Sequence, residues 1–163
     1  MQYYEVYLSF GSNVGDRRAN IETALQCLTD AKLKMIKLSS VYETSPWGNT
    51  NQPAFLNAAG KFETDLSAEK LLDAILNIEK TMGRTRKEKW QPRIIDIDIL
   101  FYSNKIINEK ELMIPHPEMQ KRKFVLVPMA EIAPDFVHHI LKKSIGELLK
   151  KCTDELEVAI ATT

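Results

Sequence analysis

Three observations predict an α+β fold, with helices laid on one face of an antiparallel sheet. Apolar residues alternate with period two near the start of the chain and again within 93–102. Between these stretches, two segments carry apolar residues at helical spacing, each preceded by a residue suited to cap a helix. The resulting order of elements is β-α-β-β-α-β, which folds most simply as one layer of strands under one layer of helices.

Each element has its own warrant. Over residues 3–10, Tyr4, Val6, Leu8 and Phe10 share one face of an extended segment. "GSNVGD" breaks that segment, and Asp16 can cap a helix to about Leu28, with Ile21, Ala24, Leu25 and Leu28 in register. A second extended region covers roughly 33–43. "TSPWGNTNQP" is a loop by its Gly, its Pro residues and its Asn residues, and "AFLNAAGKFE" returns to extended structure. Asp65 and Ser67 offer caps for a helix carrying Leu71, Leu72, Ile75, Ile78 and Met82, which Gly83 can end. The strand "RIIDIDILFY" follows, then "SNKIINEKELMIPHP", read as a short hairpin and a turn. "FVLVPMAEIAP" fits strand or helix, and Ser144 to Lys151 reads as a last helix. The arrangement is ferredoxin-like, with a C-terminal extension.

The 163 residues suit one domain over 1–163 with a single substantial core. Lys+Arg and Asp+Glu both number 22, so no global charge calls for a nucleic acid or a membrane surface as partner. No basic segment with an apolar core marks a signal peptide, and no run approaches the ~18 apolar residues of a membrane span. Cys27 and Cys152 follow no metal-ligand spacing and read as small buried residues, so a cytoplasmic setting is expected.

The chemistry concentrates at "DID". Residues i and i+2 of a strand point the same way, so Asp96 and Asp98 project together with Cα atoms roughly 6.5 Å apart, while Ile95, Ile97 and Ile99 fill the other face. Such a pair can share a divalent cation or hold two bridged by substrate oxygens, although a strand with a merely wet face reads the same way. Just upstream, "GRTRKEKWQPR" carries Arg84, Arg86, Lys87, Lys89 and Arg93 against Glu88, with Trp90 among them. Arginine forks suit phosphate, so cations beside paired carboxylates describe a polyphosphate site with Mg²⁺. No G-x-x-x-x-G-K-[ST] is present, and "GSNVG" reads as a plain strand-to-helix turn. Phe55 and Asn57, two apart on an extended segment, offer an aromatic plate and an amide to a flat heterocycle. Glu79 flanks its helix's apolar stripe, either as a solvated edge or as a carboxylate beside the Arg loop. "PHP" holds His116 in a stiff turn, with Arg122 close behind. A single-stranded RNA-binding sheet and a two-metal nuclease remain open on these residues alone.

Taken in order, "GSN" (11–13), "ETSPWG" (43–48), "QPAFLNAA" (52–59), "IEKTMGRTR" (78–86), W-Q-P-R-x-x-D-I-D-I (90–99), "IPHP" and "RKFVL" resemble the hydroxymethyldihydropterin pyrophosphokinases of folate biosynthesis. The match covers nearly the whole chain, and its segment from Arg84 to Ile99 is highly specific. The resemblance implies a single pyrophosphokinase domain moving pyrophosphate from ATP to the hydroxymethyl group of a dihydropterin, leaving AMP. It implies two Mg²⁺ ions between the triphosphate and Asp96 and Asp98, with Asp98, Asp96, Arg84 and Arg93 as the catalytic set. The pterin would lie between Phe55 and Phe124, its edge bound by Asn57 and by the backbone around Thr44, Pro46 and Trp47, with Asp96 also touching the ring. Arg84, Arg86, Trp90 and Arg93 would belong to a loop closing over the reactants. Ile99, His116 and Arg122 would complete the nucleotide site, Glu79 would hold a nucleotide or loop contact, and Arg84, Arg93, His116 and Arg122 would neutralise phosphate charge. The chain is expected to be a monomer whose partners are its two small-molecule substrates. Glu111, where a basic residue can meet phosphate, is left out of the site.

Overall fold

The computed structural model describes residues 1–45, 51, 53–83 and 93–162. Its elements run β1 (Tyr4–Ser12), α1 (Arg17–Asp30), β2 (Lys34–Leu38), β3 (Tyr42–Thr44), β4 (Phe55–Thr64), α2 (Ala68–Thr81), β5 (Asp96–Tyr102), β6 (Ile107–Asn108), β7 (Met113–Ile114), α3 (Lys123–Ile132), α4 (Ile145–Lys151) and β8 (Val158–Ile160). Among the described residues the main sheet has strand order β5-β1-β4-β3-β8, with β2 also on β4, and all its pairings are antiparallel. The short hairpin β6-β7 stands apart from it.

The expected caps are in place. Asp16 accepts from the Ala19 N–H and Ser67 from the Lys70 N–H. Gly83, at φ +94°, follows α2 in a conformation that L side chains rarely adopt. Ser144 and Glu147 close a capping box on α4.

The expectation of helices on one face is corrected. α1 and α2 cover the face of Val6, Leu8, Phe10, Ile97 and Ile99, whereas α3 and α4 cover the opposite face through Tyr7, Ala59, Leu100 and Phe101. A bulge makes the second face apolar. Leu8 pairs with Ile99 but Tyr7 with Phe101, so Leu100 is the extra residue and Leu100 and Phe101 both turn toward α3. This resolves "FVLVPMAEIAP": Val125, Leu126, Met129 and Ile132 are buried at helical spacing, and the segment is α3 despite Pro128 within it. The strand β8 went unread because its three residues follow a charged stretch and gain their pairing only from the edge of β3. No helix among the described residues is long and apolar enough to cross a membrane.

Candidate active site

Register brings the predicted residues into two rows across three strands. Gly11 of β1 lies opposite Asn57 of β4 and Asp96 of β5, and Ser9 lies opposite Ala59 and Asp98. Beyond Asn57, β4 ends at Phe55, which pairs with Thr44 of β3. These positions alternate in step and share the face that α3 and α4 cover farther along the strands. Asp96 and Asp98 are half-buried there, while Ile95, Ile97 and Ile99 are buried on the other side. The carboxylates thus keep access to solvent, and the isoleucines hold the strand that carries them.

Gly11 allows close approach in the middle of the first row. A Cβ at that position would stand 3.1 Å from Asn57 Nδ2 and 3.6 Å from Phe55 Cδ1. Near Gly11 two buried polar groups lack a hydrogen-bond partner among the described residues: Thr44 Oγ1 and Asn57 Oδ1. Asn57 Nδ2 donates to the Phe10 carbonyl, but at a long 3.4 Å. A buried polar atom left unpaired costs about 1–3 kcal/mol. Two such atoms beside an aromatic ring form a ready site for the polar edge of a flat ligand.

Arg93 and Asp96 define the other side. Arg93 Nη1 lies 3.4 Å from Asp96 Oδ1, with both side chains partly exposed, so the pair contributes under about 1 kcal/mol and can rearrange around an anion. Glu79 is not the solvated edge its flank position allowed. It is 2% exposed, and its Oε2 accepts from the Ile97 N–H at 2.8 Å, bracing β5 between the two aspartates.

His116 sits where β5 meets the segment after β7, its N–H donating to the Leu100 carbonyl. Burial first, and Arg122 second, push its pKa down to about 4 against the opposing pull of Asp96 and Glu118. At neutral pH the imidazole is therefore uncharged. Its Nδ1 accepts from the Glu118 N–H, so the ring proton resides on Nε2 as a donor. Arg122 lies 6.0 Å from the Phe124 ring centroid, bringing the predicted phosphate and ring contacts together at the start of α3.

The same His116 shift sets a pH dependence. Its folded pKa lies below the unfolded value of about 6.5, so the unfolded chain binds more protons between the two. Stability is therefore full above pH 6.5 and falls as pH drops toward 4. His138, also pushed down by burial and by His139, acts in the same direction. Denaturant titration should show a loss of about 2 kcal/mol between pH 7.5 and 5, reduced in His116→Gln. An equal loss in the variant would remove His116 from this account.

Pro46, Trp47, Arg84, Arg86 and Trp90 lie outside the described residues. Ile99 is 6% exposed and packs in the α1/α2 layer, so its side chain faces away from the aspartates and only its main chain remains for a nucleotide contact. Gly11 was missed as part of the site. A glycine inside a strand pattern signals close approach by another group, and that was the available cue.

Among the described residues no group of three or more His, Cys, Asp or Glu side chains could hold a metal. Asp96 and Asp98 still fit Mg²⁺, which keeps several waters and takes one or two carboxylates together with substrate phosphates. Paired carboxylates, flanking guanidinium groups and an aromatic slot with unpaired polar atoms define a phosphoryl-transfer class of site on an antiparallel sheet.

The comparisons narrow that class. The family model for 7,8-dihydro-6-hydroxymethylpterin-pyrophosphokinase (HPPK) matches residues 7–134, and the chain belongs to this family. It is 44% identical over 146 residues to the 2-amino-4-hydroxy-6-hydroxymethyldihydropteridine pyrophosphokinase of Methylorubrum extorquens, covering 89% of this chain and 91% of that one. It is 45% identical over 142 residues to the Aquifex aeolicus protein of the same name, covering 87% and 88%. The solved structure of Plasmodium falciparum HPPK-DHPS wild type with pteroate has a similar fold, with TM-score 0.74 at 19% identity. There the alignment covers 92% of this chain and 42% of the longer one.

Proposed function

We propose that this chain transfers pyrophosphate from ATP to the hydroxymethyl group of 6-hydroxymethyl-7,8-dihydropterin, giving AMP and the pterin pyrophosphate. The single observation that carries the reading is the row Asn57–Gly11–Asp96, which sets a slot for a polar heterocycle directly beside a carboxylate pair. The pterin lies against Phe55 and Phe124 with its edge on Thr44 and Asn57, and its hydroxymethyl group points toward Asp98. The hydroxymethyl oxygen forms a bond to the β-phosphorus as the bond from that phosphorus to the α–β bridging oxygen breaks, and AMP leaves. Asp98 takes the hydroxyl proton. Arg93 and Arg122 hold the phosphate oxygens, and His116 donates its Nε2–H to them. Asp96 and Asp98 would hold Mg²⁺, as two ions, which would supply charge neutralisation for the triphosphate. Alignment and charge compensation carry most of the rate for such a transfer.

The strand order β5-β1-β4-β2 supports a ferredoxin-like core with a C-terminal extension. One domain acting as a cytoplasmic monomer is part of the same proposal. Pro46, Trp47, Arg84, Arg86, Trp90, Glu79 and the Ile99 main chain belong to the same proposal by resemblance. Arg93→Ala should lower kcat about 10²-fold with a smaller change in either KM, because the guanidinium acts on charge that shifts during transfer. A lowered melting temperature at unchanged kcat would assign Arg93 a structural role only.

The direct experiment supplies ATP, Mg²⁺ and the reduced hydroxymethylpterin, and resolves AMP from ADP. AMP formed in step with pterin pyrophosphate, and only when pterin and metal are both present, supports the reading. ADP would mean transfer of a single phosphoryl group. No turnover by folded protein would overturn the enzymatic reading.

A further inference from the structure

The turn "GSN" does more than redirect the chain. Asn13 is 1% exposed, and its amide is used at both ends. Oδ1 accepts from the Arg93 N–H at 2.6 Å, and Nδ2 donates to the Pro53 carbonyl at 3.3 Å. Its own N–H donates to the Arg93 carbonyl at 2.9 Å, so Asn13 and Arg93 are joined at two points. Pro53 stands two residues before Phe55, and Arg93 three residues before Asp96. Neighbouring Arg17 reinforces the first arm, since Nη1 donates to the Ala54 carbonyl at 2.8 Å while Nη2 pairs with Glu43. Asn20 fastens the turn from below, donating to Ser12 Oγ and to the Val14 carbonyl.

We infer that Asn13 is a positioning residue for the transfer, tying the chain segment that leads to the heterocycle slot to the one that presents Arg93 beside the aspartates. The inference rests on the function proposed above and adds a residue which touches neither substrate. Two reactants must meet in line, and a misplacement of about 1 Å can slow reaction about 100-fold. A buried amide is suited to the task because it donates to one arm and accepts from the other, which no hydroxyl or carboxylate does with the same reach.

The two ends of the amide can be tested separately. Asn13→Ala removes both bonds and should lower kcat about 10- to 100-fold. Asn13→Asp keeps an acceptor for the Arg93 N–H but turns a second oxygen toward the Pro53 carbonyl, so pterin KM should rise about tenfold with kcat closer to wild type. Because Asn13 acts through Arg93, Asn13→Ala in an Arg93→Ala background should change kcat less than twofold further. Hydrogen exchange at the Arg93 amide gives a readout independent of activity, and it should quicken at least tenfold in Asn13→Ala and stay near wild type in Asn13→Asp. Wild-type kinetics in both single variants would overturn the inference, as would full additivity with Arg93→Ala. A wild-type protein that makes no AMP would overturn the functional reading instead, while the exchange result still judges the tether.

Discussion

Asp98→Ala should abolish turnover, by about 10³-fold or more, while leaving pterin affinity within a few-fold of wild type. Asp98 lies opposite Ser9, one row along the strands from the Asn57–Gly11–Asp96 row that forms the slot. Its loss removes the proposed proton acceptor and half of the carboxylate platform but takes nothing from the ring site. Asp96 differs, since it sits in the slot's own row and contacts Arg93. Asp96→Ala should therefore lose both rate and pterin affinity, and the contrast between the variants is sharper than either result alone. The fold should tolerate both changes, because both side chains are partly exposed and the buried Ile95, Ile97 and Ile99 keep β5 in place. AMP release measured beside calorimetric pterin binding checks the pair. Turnover within tenfold of wild type in Asp98→Ala would remove the carboxylate platform from the mechanism.

Much of this site was legible in the sequence because a strand's period is short and rigid. Two aspartates at i and i+2 of a strand can only share a face, so "DID" sets both carboxylates on one side of it. Phe55 and Asn57 followed from the same rule. What one strand cannot reveal is its neighbour's register. That Asn57, Gly11 and Asp96 stand in a row depends on how β4 and β5 pair with β1, and nothing local specifies it. Asn13 was misjudged for the same reason: its partners lie 40 and 80 residues away, and the turn looked complete without them. Glu79 looked like an exposed flank because helical periodicity says nothing about a strand end that needs an acceptor. The second layer of helices was hidden by one bulged residue, which turned Leu100 and Phe101 to the same side.

The unpaired atoms of the slot lead to a second large effect, in which stability and binding move in opposite directions. Asn57→Leu keeps the branched shape of the buried amide at a larger volume and removes its polar atoms, and Thr44→Val does the same for a hydroxyl. In the ligand-free protein Asn57 Oδ1 and Thr44 Oγ1 lack partners among the described residues, so each carries an uncompensated desolvation penalty. Removing it should leave the melting temperature unchanged or raise it by about 2–4 °C, the shift expected of roughly 1 kcal/mol in a chain of this size. The one weak bond lost, from Asn57 Nδ2 to the Phe10 carbonyl at 3.4 Å, offsets little of that gain. Pterin affinity should meanwhile fall, about 100-fold for Asn57→Leu and about tenfold for Thr44→Val, because the ligand's polar edge would then be desolvated without replacement. ATP affinity should hardly change in either variant, since both positions lie on β3 and β4, across β1 from the strand that carries Asp96 and Asp98. Thermal melts with and without pterin test this directly: a variant that melts higher when empty, yet gains less from pterin than wild type, is the expected signature. A loss of stability in the empty protein would mean that these groups serve the fold, and equal pterin affinity would take the heterocycle out of this slot.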